Sequence, residues 1–202
     1  MVQIAPMAKT DKNLIDAHIM GDKTAFAEIL RRHRPAVLGY LTKMANNREQ
    51  AEDFFQDTFK RVHEKAHTLR SENFKPWLYT IATNIALNAY RKNKKRTTLS
   101  LNQKYECQNG NCAELANTVV AQNAVSPSKL AIKEEQRTQV VTAINTLPDK
   151  QKTTLILAYY QQLSYREVAK ILDCTVGTVK TQMFRALKSL AQKLPDASGV
   201  IE

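Results

Sequence analysis

Apolar residues recur at spacings of three and four over much of this chain, which is the period of amphipathic helices. Leu14 and Ile15 mark a first helix over about Asp11 to Met20. Phe26, Ile29, Leu30, Val37, Leu38 and Leu41 mark a second, from Lys23 to Ala45. A third, from about Glu49 to Ala66, sets Ala51, Phe55, Phe59, Val62 and Ala66 on one stripe. A fourth, from about Phe74 to Arg96, has Leu78, Ile81, Ala82, Ile85 and Ala89 as its core face. His67 to Asn73 is a short polar loop between the last two.

The period then fails. From residue 98 to 128 the chain is rich in Asn, Gln, Ser and Thr, contains Asn109-Gly110, and ends in Ser126-Pro127-Ser128. That is linker chemistry. Helical spacing returns through Val140, Val141, Ile144 and Leu147. Pro148-Asp149 signals a further helix start, with Leu155, Ile156, Leu157 and Tyr159 continuing the core. The pattern predicts an all-α protein of two small domains, a helical bundle over 9–97 and a helical domain over 129–195, joined by a flexible linker.

Composition supports helices, since 5 Gly and 6 Pro in 202 residues leave little turn chemistry for a large sheet. Charge adds a partner. The net charge of +11 points to a polyanion, either nucleic acid or an acidic membrane surface. Residues 9–96 carry +8 and residues 129–202 carry +4, while 97–128 carry −1, so two basic blocks flank a nearly neutral spacer. The three cysteines, Cys107, Cys112 and Cys174, are too few for a disulfide scaffold and suit a reducing compartment. No apolar run reaches the ~18 residues of a membrane span or suits a signal peptide, so direct membrane insertion is not expected and a cytoplasmic location is.

The most informative stretch runs from Ser164 to Leu187. Ser164 and Glu167 have capping-box spacing and would open a short helix whose buried face is Val168, Ala169, Ile171 and Leu172. Asp173-Cys174 makes a tight turn, and Thr175 can cap a second helix reaching about Leu194. In it Val179, Met183, Ala186, Leu187 and Leu190 would pack inward, leaving Thr178, Lys180, Thr181, Gln182 and Arg185 outward. This is the helix-turn-helix layout, whose second helix presents its early residues to base edges in the major groove. Lys180 and Arg185 can donate to guanine or phosphate, Gln182 can pair with adenine, and Thr181 can bond either kind of acceptor.

These residues resemble the sigma factors of bacterial RNA polymerase, specifically the extracytoplasmic-function (ECF) group. Leu147-Pro148, the run from Leu163 to Ala169 and that from Val176 to Lys180 are similar to the family's fourth conserved region. Ala51-Glu-Asp-Phe-Phe-Gln-Asp-Thr-Phe59 resembles its polymerase-binding stretch, and Trp77 to Asn88 its melting and minus-ten-reading helix. The resemblance implies an alternative sigma factor that binds core RNA polymerase, directs it to promoter DNA and assists melting, with an anti-sigma partner. Thr178, Lys180, Thr181, Gln182 and Arg185 would then read the minus-thirty-five element. Many relatives carry Arg where this chain has Gln182, which leaves open the bases this helix reads.

Asn84, Asn88 and Arg91 fall at i, i+4 and i+7 and share one helix face. By resemblance they meet the minus-ten element, Asn at exposed base edges and Arg91 at the backbone. Tyr79 is a candidate for lining a pocket, shaped by Leu69 to Asn73, for a base drawn out of the stack. Trp77 is expected in the core. Lys92 belongs to the run from Arg91 to Arg96, five cations in six residues, which suits phosphates as well as a helix C-terminus. Asp53, Gln56, Asp57 and Phe59 lie in the family's contact surface for the clamp of the polymerase's largest subunit. Acidic groups amid a basic domain are poor DNA ligands, and Phe59 is expected to serve the core more than the interface.

The alternative reading is an autonomous helix-turn-helix regulator, which needs no polymerase to find its site. Histidines 63 and 67 stand at i, i+4 and cysteines 107 and 112 are five apart, but no matching second pair follows, so no metal is expected. The sequence holds no nucleophile elbow, phosphate-binding loop or paired-carboxylate motif, and it calls for no catalysis, cofactor or small-molecule substrate.

Overall fold

The computed structural model describes residues 9–45, 47–70, 72–99 (backbone alone beyond 91) and 137–194. The expected linker lies outside these residues from 100 onward, with Cys107 and Cys112, while its first two residues, 98 and 99, continue a helix; the side chain of Lys92 and residues 129–136 also lie outside. The chain divides into two compact units, 1–102 and 103–202. Every regular element among the described residues is helical, and none is long and apolar enough to cross a membrane.

The first unit contains α1 (Asp11–Ile19), α2 (Lys23–Met44), α3 (Arg48–Lys65) and α4 (Phe74–Leu99). Each of the first three starts where a short polar side chain satisfies orphan backbone N–H groups. Thr10 accepts from Asn13, Asp22 from Thr24 and Ala25, and Asn47 from Gln50. Between α1 and α2 the N–H of Gly21 donates to the His18 carbonyl and that of Asp22 to the Ala17 carbonyl. This closure needs a left-handed residue, and Gly21 supplies it at φ 99°. Asp22 thus ends one helix and caps the next, which fixes a sharp corner.

Alternate faces of these helices bury Ile15, Ile29, Leu41, Val62 and Leu78 almost completely. At about 1.5–3 kcal/mol for each large apolar side chain, such burial drives the packing. Inside it the Tyr40 hydroxyl meets that of Thr83 at 2.7 Å, joining α2 to α4 with no polar atom of the pair left bare.

Two details depart from the spacing. On α3 the buried ridge runs through Ala51, Phe54, Thr58 and Val62. Phe55 is half-buried at its edge, against Phe59 and 6.0 Å beneath the Arg34 guanidinium. Thr58 takes a core slot because its hydroxyl donates to the Phe54 carbonyl at 2.6 Å, which hides its polarity. Ala89 is only half-buried, so the core face of α4 weakens after Ala86.

The second unit is described from a helix over residues 137–145, here α5, followed by α6 (Asp149–Leu155), α7 (Tyr165–Ile171) and α8 (Val176–Lys193). Pro148 precedes α6 as expected. Ile144, Leu147, Leu155, Met183 and Ala186 form its core. After α6 the backbone widens into a π turn, Ile156–Tyr160. A wider turn carries more residues per revolution, so Tyr159 falls behind the buried stripe and is 70% exposed rather than part of the core.

Candidate nucleic-acid interface

The helix pair α7–α8 is set by three local devices. Ser164 and Glu167 close a reciprocal capping box, the Ser164 N–H donating to the Glu167 carboxylate at 2.8 Å. At the other end of α7 the Cys174 N–H donates to the Ala169 carbonyl and that of Asp173 to Lys170. Asp173 sits left-handed, at φ 49°, where Gly21 sits in the first unit. Thr175 then caps α8 through the Thr178 N–H at 3.1 Å. Asp173→Val should therefore cost about 1–2 kcal/mol, because a β-branched residue fits the left-handed region poorly. Thermal unfolding of the full chain measures it, and an unchanged midpoint would show that the turn tolerates another conformation.

Val179, Met183 and Ala186 turn inward on α8, as expected. Leu187 does not: it is 41% exposed, because it trails the buried stripe by one position. Thr178, Lys180, Thr181 and Arg185 are exposed and Gln182 is half-buried. The ridge opposite the core is formed by Gly177, Thr181, Phe184 and Lys188. Sequence reasoning passed over Phe184, which is 68% exposed at the centre of this surface. The signal was present as an apolar residue off the buried period. The Thr181 hydroxyl donates to the Gly177 carbonyl at 3.0 Å and so presents lone pairs outward, suited to a base amino group.

In the first unit Asn84, Asn88 and Arg91 are all exposed along one side of α4. Tyr79 is corrected: it is 1% exposed, its ring edge-on to Tyr40 at 5.2 Å, and it has no surface to offer a base. Burial also raises its phenol pKa, as expected of a core tyrosine. Trp77 is half-buried against Phe74 at 5.8 Å. Leu69 is buried and anchors the loop, while Arg70, Glu72 and Asn73 face solvent.

On α3, Asp53, Gln56 and Asp57 lie together on the exposed face. Phe59, expected to serve the core more than the interface, is 4% exposed and packs in the core, so it drops out of the contact surface and leaves it to its three neighbours. His63 pairs with His18 of α1, not with His67. No group of three or more His, Cys, Asp or Glu is gathered among the described residues.

Residues 29–96 match the family model of sigma-70 region 2, and residues 137–190 match that of sigma-70 region 4. The chain is 31% identical over 177 residues to the ECF RNA polymerase sigma factor SigW of Bacillus subtilis, covering 87% of this chain and 92% of that one. This chain belongs to the ECF sigma factors of the sigma-70 family. It is accordingly an alternative sigma factor directing RNA polymerase, from a family that binds core polymerase and promoter DNA and is not a family of enzymes. It is also 29% identical over 186 residues to the ECF sigma-E factor of Haemophilus influenzae, covering 92% and 95% of the two chains. Among solved structures, the sigma factor RpoE bound to the anti-sigma factor NepR, from Bartonella quintana, aligns with TM-score 0.64 at 25% identity over 84% of this chain and 96% of that one. CnrH, in complex with the cytosolic domain of CnrY, shares the fold at TM-score 0.63 and 18% identity, over 95% and 100% of the two chains. With both regions present in this order, an ECF sigma factor accounts for the first unit, which an autonomous regulator leaves without a role.

Proposed function

We propose that the two units of this sigma factor divide promoter recognition between them. In the second unit α8 enters the major groove of the minus-thirty-five element. Thr178, Thr181, Gln182 and Arg185 meet base edges, Lys180 meets phosphate or guanine, and Phe184 adds the apolar contact that suits a thymine methyl group. In the first unit Asn84 and Asn88 hold non-template bases of the melted minus-ten element, with Arg91 and Lys92 on the backbone. Asp53, Gln56 and Asp57 dock on the clamp of the polymerase's largest subunit. The chain itself carries out no catalysis, works in the cytoplasm, and is held in reserve by an anti-sigma factor, a reading supported by RpoE of Bartonella quintana, whose structure is a complex with the anti-sigma factor NepR.

The observation that carries this reading is one chain with two solvent-facing helix surfaces of base-reading residue types, α4 and α8, beside a separate acidic face on α3. The experiment is transcription in vitro with purified core polymerase over a genomic fragment library. Specific transcripts should need both components. Equally tight specific binding of duplex DNA by the chain alone would favour the autonomous regulator.

Single substitutions sort the roles of the α8 side chains. If Arg185 reads a base, Arg185→Ala should cost about 1–3 kcal/mol and relax preference at one promoter position. Lys180→Ala should weaken all sequences alike if it meets phosphate, and should reduce the salt dependence of binding. No loss at either position in a promoter titration of the holoenzyme would overturn the placement of α8.

A further inference from the structure

We propose that His18 and His63 form a two-histidine site for a divalent transition-metal ion of the copper, nickel and zinc class, clipping α1 to α3. The two residues are 45 apart in sequence, yet Nε2 of His18 faces Nδ1 of His63 at 2.9 Å. The ring of Phe26 holds both, its centroid 4.7 Å from that of His18 and 5.5 Å from that of His63. The two rings are therefore held close together before any ion arrives. His18 is half-buried and His63 exposed, so the pair opens to solvent on one side.

The separation selects the kind of ion. Metal–imidazole bonds of about 2.0–2.1 Å across this gap meet at about 90°, the angle between neighbouring ligands in tetragonal or octahedral coordination. A tetrahedral site needs the nitrogens about 3.3 Å apart. The separation matches copper(II) and nickel(II) once each ring turns to aim its nitrogen at a common point beside the line between them, and zinc after a further small opening. Imidazole suits all three ions, and copper(II) heads their affinity order.

Protonation also suits the site, because only a neutral imidazole is a ligand. Burial, and then the proximity of His63, lowers the pKa of His18, which favours its neutral form. In the free pair one proton lies between the facing nitrogens. On metal binding it transfers to the far nitrogen of its own ring, so both rings stay neutral and nothing is oxidised or reduced. No third His, Cys, Asp or Glu joins them among the described residues, so water completes the coordination and the ion is exchangeable.

An ion bound only when α1 is docked stabilises that docking by linkage. α1 has nine residues and two buried side chains, Leu14 and Ile15. It is thus the element a clip would change most, and α3 is the helix that carries Asp53 and Asp57.

The test uses the full chain without a histidine tag, titrated separately with copper(II), nickel(II) and zinc chlorides by calorimetry and thermal unfolding. One ion should bind per chain and raise the unfolding midpoint, and a chelator should reverse the rise. His18→Gln and His63→Gln keep side-chain length and hydrogen bonding but remove the ligand nitrogen. Each should weaken binding at least about tenfold and abolish the rise. His67→Gln and a variant with all three cysteines replaced by Ser should behave as the parent does. Circular dichroism without metal confirms that the histidine variants fold, so weaker binding in them means that ligation has gone. Absence of binding for all three ions at millimolar concentration, or affinity unchanged by both histidine substitutions, overturns the site and leaves the pair a hydrogen bond between imidazoles.

Discussion

Replacing Asn84 by Ala should leave the protein folded and polymerase-bound while sharply lowering open-complex formation at duplex promoters. Asn84 is exposed on α4 and fills no core volume, so the change should shift stability by no more than about 0.5 kcal/mol. Its amide can pair with a base edge only after that base has left the stack. Extrusion costs a few kcal/mol, and interactions made solely with the extruded base offset it. Removing a bidentate pairing worth about 1–3 kcal/mol corresponds to roughly a five- to 150-fold fall in the open fraction. A template already melted over the minus-ten element should recover much of the activity, because unpairing is no longer required. Base discrimination at the affected position should not recover. Permanganate reactivity of promoter thymines, with transcription from duplex and bubble templates, measures both. Equal opening and equal base preference in the variant would reduce Asn84 to a surface residue of α4.

The double reversal Asp53→Lys with Asp57→Lys should all but abolish association with core polymerase, without disturbing the fold. Both carboxylates are exposed, and Phe54, Thr58 and Val62 on the opposite side of α3 are untouched. If α3 docks as proposed, two attractive charges become repulsive at one interface. Like-charge juxtaposition there costs several kcal/mol, which means a loss of about a hundredfold or more. Calorimetry or fluorescence anisotropy with core polymerase reads the affinity, and circular dichroism reads the helicity. Binding as tight as that of the parent chain, with helicity retained, would move the polymerase contact off this face of α3.

The features legible from spacing alone share a physical basis. Helix period, N-caps and the capping box involve residues at most four apart, so Ser164 with Glu167, Thr175 with Thr178, and the Pro148 start could be located without tertiary knowledge. The outward line of Asn84, Asn88 and Arg91 follows from the same arithmetic, given that α4 buries the other side.

Burial inside each unit obeys longer-range rules. Tyr79 and Phe59 have residue types that serve an interface as readily as a core, and packing put both inside. Thr58 entered the core because its hydroxyl was satisfied by its own helix. Tyr159 left it because a π turn shifted the register, and Phe184 stands outside because the ridge of α8 against Ile144 and Leu155 runs through Met183 and Ala186.

Order, helix ends and outward polar faces are thus encoded locally in this sigma factor. The facing of His18 and His63 across 45 residues is not, since no local period relates positions on two helices. Such a pair exists only once the Gly21 corner and the buried faces of α1, α2 and α3 have closed on one another, and that closure is set by the mutual fit of whole helix surfaces.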